Sequence, residues 1–195
     1  LAAGMTLIPA LLTGGIHLDG FCDTADALGS RRSREEKLRI LSDSHTGAFA
    51  VLGAGGWFLL TWSLWQELAP DLSPRRMGML GLGFVLSRAL SGLGTAVLPP
   101  AKGSGLLHAF TTASQKQAVA LTDGGLAFLC AVGMVLLDPW PGMGAVLGAV
   151  LAFLYYRGMS RRQFGGITGD LAGWFLTVCE LLILAGVLIG GRILG

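Results

Sequence analysis

Six apolar stretches partition the chain, at roughly 1–16, 47–69, 77–98, 118–137, 142–156 and 171–194. A helix needs about 20 apolar residues to cross a bilayer, so the second, third and sixth stretches predict full spans. The first is cut short because the chain begins at Leu1 inside an apolar run, which predicts a truncated or trimmed start. The fourth carries Asp123, which leaves an uninterrupted apolar part of about 14 residues. The fifth, between Pro141 and Arg157, predicts an upright or partly protein-buried span, with a re-entrant pair over 118–156 as the alternative. Composition agrees: 13% of residues are charged, where soluble domains carry about 25%. The 31 glycines suit closely packed membrane helices.

The prediction is an all-α, polytopic membrane bundle with about six transmembrane segments. No internal repeat or low-complexity linker divides it. Residues 1–195 therefore form a single membrane-embedded domain, with motif-bearing loops at 17–46, 99–117 and 157–170. Cys22, Cys130 and Cys179 are far apart and lack CxxC spacing, so they read as small apolar residues. No signal peptide with a charged leading region is present. If the spans alternate, those three loops hold ten lysines and arginines, against Arg75, Arg76 and Arg192 on the other side. The positive-inside rule then puts the motif loops in the cytoplasm, where nucleotides are found.

The densest polar motif is His17-Leu-Asp-Gly-Phe-Cys-Asp-Thr-Ala-Asp26, with no basic residue among its three carboxylates. As a helix it would bring Asp19, Asp23 and Asp26 within an arc of roughly 60° on one face. Like charges at this spacing repel, and Asp is a mediocre helix former. A bound hard cation explains the stripe better than a solvated acidic turn, because Mg²⁺ takes carboxylate oxygens and shares them with substrate phosphates. His17 would point away from Asp19 on a regular helix. It joins the site only if Gly14-Gly15 makes the chain irregular, and otherwise reads as a hydrogen-bonded boundary residue.

Beyond the Asp run, Arg34, Lys37 and Arg39 with Glu35 and Glu36 predict an amphipathic, largely solvated interfacial helix facing inward through Leu38 and Leu41. Asp43 and His45 follow at the membrane boundary. Asp43 reads as a fourth metal ligand, a general base or a helix cap, and His45 as a weaker member of the same pocket. Near the other end, Gly165-Gly-Ile-Thr168-Gly-Asp170 leads straight into an apolar helix. Thr168 or Asp170 is a natural N-cap, the free N–H groups offer a phosphate seat, and Asp170 could instead complete the metal site. Arg88 lies mid-span, where a guanidinium either grips a phosphate or pairs with Glu180.

Four segments, in order along nearly the whole chain, resemble the cobalamin synthase (adenosylcobinamide-GDP ribazoletransferase) family. GGIHLDGFCDTADALGS is similar to its GG-hydrophobic-HLDG-x-x-DTADGL signature, and LSDSHTGAFA to its D-S/P-x-x-G-x-F-G stretch. SRALSGLGTAVLPPAKGSGL is similar to its S-R segment followed by a P-Y-A-R-x-x-G-like loop, and FGGITGDLAG to its GGITGD segment. Ala27 and Ala50 stand where the family usually has Gly, Pro100 where it has Tyr, and Lys102 where it has Arg. The family's amino-terminal segment, with its own Arg-containing motif, is not in this chain.

The resemblance implies a Mg²⁺-dependent joining of adenosylcobinamide-GDP with α-ribazole or its 5′-phosphate in a bacterial cytoplasmic (inner) membrane. The ribose hydroxyl attacks the phosphorus bearing the corrinoid aminopropanol, and GMP leaves. Asp19, Asp23 and Asp26 would hold the metal, and Asp43 or His17 would take the proton. Arg88, Lys102, Thr168, Asp170 and His45 would bind substrate. Expected partners are the corrinoid nucleotide, α-ribazole and membrane lipid, with no nucleic acid, and a homo-oligomer is an allowed assembly. DTADALGSR also partly resembles the first half of the CDP-alcohol phosphotransferase signature, D-x-x-D-G-x-x-A-R, but the second half does not follow at the required spacing. A small-molecule transporter, with Arg88 and Glu180 lining a path, is the alternative from another class. It would concentrate polar residues near the midplane, whereas the acidic cluster lies in loop 17–46.

Overall fold

A computed structural model describes residues 1–101 and 113–193, and Lys102 lies outside the described residues. Eight helices account for most of it: α1 Ala2–Leu12, α2 Ile16–Gly29, α3 Arg34–Ile40, α4 Ala48–Leu68, α5 Pro74–Val97, α6 Ala113–Leu137, α7 Pro139–Met159 and α8 Gly169–Ile193. The described residues contain no strand, only one isolated parallel bridge between Pro100 and Ile167. Five helices, α4 to α8, are long and apolar enough to cross a membrane. The pair α1–α2 also passes that test when taken together, but it is bent by 90°. Gly14 and Gly15 make the bend, with φ of 63° and 78°, a left-handed conformation costly for residues bearing a Cβ.

The outward surface is apolar in the way lipid requires. Leu52, Leu59, Leu121, Phe128, Leu136 and Leu147 are all exposed, which in water would be a large unpaid hydrophobic area. The chain is thus a multi-pass helical membrane protein. α8 is its central post: half of its most apolar window is buried, against 17% for α6. Leu171, Phe175, Cys179, Ile183 and Val187 recur every fourth residue and are all buried, so they form the stripe that the other helices surround. Tyr156 of α7 stacks on Phe175, with ring centroids 4.8 Å apart. α7 comes close enough to α8 for Gly144 to meet the backbone of Gly186, and Gly148 that of Leu182.

One sequence alternative falls and one expectation changes here. The fifth stretch is a complete, partly buried helix as first expected, and no re-entrant pair spans 118–156. Pro139 and Pro141 fall in its first turn, where backbone N–H groups need no helical partner, so they start α7 without breaking it. The expected loop 17–46 is instead two helices. α2 buries its small face, Gly20, Thr24 and Ala27, against the bundle, chiefly against α8 and α4. α3 buries Lys37 as well as Leu41. The Lys37 ammonium donates to Gln163 Oε1 in the π-helical turn Ser160–Phe164, so α3 is docked and not freely solvated.

α4 and α8 run away from the motif end, and α5 and α7 return to it. At the far end Arg76 donates to Asp138 at 3.1 and 3.2 Å, and Arg192 pairs with Glu67. These pairs fix the turns that join the helices.

Close α7–α8 packing gives a stability prediction. Gly148→Ala forces a methyl into the Leu182 carbonyl, whereas an added Cβ at Gly124 of α6 meets nothing within 4 Å. The first should lower stability by about 1–3 kcal/mol. Gly124→Ala should be neutral or stabilising by up to about 1 kcal/mol. Thermal unfolding of the two variants in the same detergent checks this, and equal shifts would contradict the packing.

Candidate active site

α2 reaches the carboxylate region by lying directly against α8. A Cβ on Gly20 would sit 2.6 Å from the Asp170 carbonyl oxygen, so only glycine allows the approach. One turn further along α8, Gly173 faces the backbone of His17 and Gly20, and the Thr177 hydroxyl donates to the His17 carbonyl at 3.2 Å. This contact sets the depth and rotation of α2. Ile16–Gly29 is a regular helix, so Asp19, Asp23 and Asp26 share one side, with Asp19 exposed and the other two half-buried.

The Gly20 contact brings the Asp170 backbone against α2. Burial first, and then the charges of Asp19, Asp170 and Asp26, push the Asp23 carboxyl above its usual range. Thr168 is the residue that caps α8: its hydroxyl accepts the Leu171 N–H at 3.2 Å and donates to Asp170 Oδ2 at 3.4 Å. Among the described residues, no group of three or more His, Cys, Asp or Glu side chains is gathered closely enough to hold a metal ion unaided.

Asp26 has a further role that the sequence did not reveal. Its two oxygens accept the Gly47 N–H at 2.6 Å and the Ala50 N–H at 2.9 Å. A carboxylate from α2 therefore caps α4, satisfying two otherwise orphaned donors and complementing the helix dipole. Ala50, one of the departures from the family pattern, is buried and contributes only a backbone N–H here.

Asp43 and His45 stand beyond this cap. Asp43 Oδ1 accepts the His45 N–H at 3.1 Å and lies 2.7 Å from His45 Nδ1. These hydrogen bonds, side chain first and backbone second, hold the Asp43 carboxyl below its usual range. Both residues line an open cavity of about 620 Å³ with Asp26, Arg32, Thr46 and Phe49. His17 is elsewhere. The irregularity at Gly14-Gly15 ends before it, its carbonyl is bonded to α8, and the charge bearing on its ring is that of Arg88. Arg88 is itself engaged inside the bundle, ion-paired to Glu180 and donating to Ser87 Oγ at 2.9 Å and the Phe84 carbonyl at 3.2 Å.

The loop before α8 is stitched to the loop after α5. Ile167 N–H donates to the Pro99 carbonyl and Ala101 N–H to the Ile167 carbonyl, each at 2.9 Å. The Arg34 guanidinium lies over Gly165, whose φ is +74°. Sequence reasoning placed Arg34 and Lys37 on a solvated face. The available signals were Ser33-x-x-Glu36, whose Ser33 hydroxyl accepts the Glu36 N–H at 3.3 Å, and Gly165, over which the Arg34 side chain of α3 lies.

A family model described as cobalamin-5-phosphate synthase matches residues 1–188. The chain is 41% identical over 197 residues to the adenosylcobinamide-GDP ribazoletransferase of Lachnoclostridium phytofermentans, an alignment covering 98% of this chain and 74% of that protein. It is 36% identical over 185 residues to the enzyme of the same name from Desulfitobacterium hafniense, covering 95% and 72% of the two chains. A third, from Chlorobaculum tepidum, is 36% identical over 193 residues, covering 96% and 71%. No solved structure matches the chain.

The two roles assigned to α2 carboxylates separate in a stability measurement. Asp26→Ala should destabilise the metal-free protein by about 1–2 kcal/mol through the lost cap. Asp23→Asn removes a charge repelled by its neighbours and should leave stability unchanged or raised. Thermal unfolding in chelator tests both; a loss in Asp23→Asn equal to that in Asp26→Ala would contradict the assignment.

Proposed function

The chain belongs to the cobalamin-5-phosphate synthase family, and from that premise we propose how its own residues carry the family's reaction. The protein is a transferase of cobalamin biosynthesis that joins adenosylcobinamide-GDP with α-ribazole or its 5′-phosphate. The ribose hydroxyl oxygen forms a bond to the phosphorus that carries the corrinoid aminopropanol. The bond from that phosphorus to the bridging diphosphate oxygen breaks, the hydroxyl proton goes to a base, and GMP leaves.

The observation that carries the site assignment is the backbone contact of Gly20 with Asp170, which sets Asp170 beside the helix that presents Asp19 and Asp23. These are hard oxygen donors with uncompensated like charge, the chemistry that a divalent cation relieves. They do not close a cage by themselves, which fits Mg²⁺, an ion that usually takes one or two carboxylates and completes its shell with water and substrate phosphates. When bound, the ion would neutralise the charge that builds on the transferring phosphoryl oxygens. Asp26, held by α4, would fix the rotation of the carboxylate face and contribute at its edge. Thr168 would orient Asp170 through their hydrogen bond.

Asp43 is our choice of proton acceptor. His45 keeps it ionised and oriented, and the two line a cavity open enough to admit a nucleoside. His17, bonded to α8 on the side of Arg88, is less well disposed for that task. Arg88 would act through its pair with Glu180, holding α5 to α8, and not on a phosphate.

The positive-inside count favours a cytoplasmic motif end in an inner membrane. Single cysteines introduced at Arg31 and Arg75, in a background lacking native cysteines, should react with an impermeant maleimide from opposite sides of inverted vesicles. Labelling of both from one side would refute the topology.

The decisive assay is turnover of adenosylcobinamide-GDP and α-ribazole by purified protein, with Mg²⁺ or chelator. GMP release coupled to corrinoid product should require the metal. It should fall about 10²–10³-fold in Asp23→Asn, the scale for losing one group that stabilises transition-state charge. Metal-independent turnover, or full activity in the variant, would remove the carboxylate assignment.

A further inference from the structure

We propose that Arg34 is a ligand for the diphosphate of the nucleotide-activated substrate, presented by a seat that the loop before α8 provides. The inference rests on the transferase reading above and adds a residue to it.

Arg34 is the first residue of α3, and its side chain crosses to the loop 165–168, where the guanidinium occupies the space a Cβ on Gly165 would fill. Gly165 is also in the left-handed region, with φ of +74°. The backbone conformation favours glycine at this position, and the end of the Arg34 side chain rests in the space that the missing Cβ leaves. The base of the side chain is equally fixed. Ser33 caps α3, Lys37 is buried against Gln163, and Leu41 is buried below them. The backbone that carries Arg34 is thus fixed before any ligand arrives, while its guanidinium end lies exposed against the glycine.

The charge is nevertheless uncommitted. Arg32 and Arg39, its neighbours on the same segment, both bond to Glu36. Among the described residues, Arg34 has no hydrogen-bond or ion-pair partner, and its electrostatic neighbour is the exposed Glu35, whose own charge is held by backbone and Ser33 hydrogen bonds. Arg34 is exposed, so its donors face solvent and are open to a ligand. This one presents a planar set of donors beside a loop that continues, within five residues, to Asp170 and the α2 carboxylates. A diphosphate bound between a guanidinium and a cation-loaded carboxylate group satisfies both sides.

The test measures binding of inorganic pyrophosphate and of GMP to the full chain in detergent with Mg²⁺, by equilibrium dialysis, beside KM and kcat for adenosylcobinamide-GDP and α-ribazole. Arg34→Ala should weaken pyrophosphate binding and raise KM for the corrinoid nucleotide by about 10- to 100-fold, the effect of losing hydrogen bonds to a charged group. Its KM for α-ribazole and its unfolding temperature should not move. Arg34→Lys should fall between, and Arg39→Ala should match wild type. Gly165→Ala should reproduce the binding defect, and the double variant should be no worse than the weaker single one.

Unchanged pyrophosphate binding in both Arg34 variants overturns the assignment. So does a defect that falls equally on both substrates together with a lowered unfolding temperature. A wild type that binds pyrophosphate through Arg34 but does not turn over the corrinoid nucleotide overturns the transferase reading and leaves the phosphate site standing.

Discussion

The close backbone contact between Gly20 of α2 and Asp170 of α8 is the constraint on which the rest of the structure depends. A single methyl at Gly20 would meet a carbonyl oxygen at 2.6 Å, so the two helices approach this closely only because that residue is glycine. Everything chemically distinctive follows from that contact. It carries Asp19 and Asp23 to Asp170, lets Thr177 fix His17 by its carbonyl, and leaves Asp26 at the height where α4 begins. Like charges brought together in this way cost free energy, and the buried small-residue face of α2 offsets that cost.

The bundle behind this contact is built to resist it. α8 is enclosed on most sides, and α7 is pressed against it through glycines. The far ends are tied by Arg76–Asp138 and Arg192–Glu67. Arg88 and Glu180, which as separate charges in a membrane would each be costly, neutralise each other midway along α5 and α8. That pairing also weakens the transporter alternative, because a conduction path needs polar groups that remain available. The α2 aspartates and Asp170 collect at one end of the bundle instead.

Departures from the family's sequence pattern have physical accounts where the structure describes them. Ala50 supplies a backbone N–H to Asp26, which glycine would supply equally. Ala27 is fully buried in the small face of α2, where its methyl fits. Pro100 sits at the parallel bridge to Ile167, and the two hydrogen bonds there come from Ile167 and Ala101, so the missing proline N–H is not needed. The family resemblance and the geometry therefore agree at these positions.

Sequence alone determined the class, the number and approximate limits of the spans, the shared face of the three α2 aspartates, and the family. All of these follow from local periodicity, length and contiguous motifs, which are properties of the chain before it packs. Tertiary structure decided which partner each polar group takes. Asp26 reads as one of three equivalent carboxylates until α4 presents its orphaned N–H groups. Arg88 reads as a phosphate ligand until α8 brings Glu180 against it. Lys37 reads as solvated until the π-helical turn arrives from about 130 residues away in sequence to receive it, whereas Arg34 stays exposed with its tip against Gly165. A side chain's chemistry is written in its type. Its use depends on long-range contacts, which periodicity cannot encode.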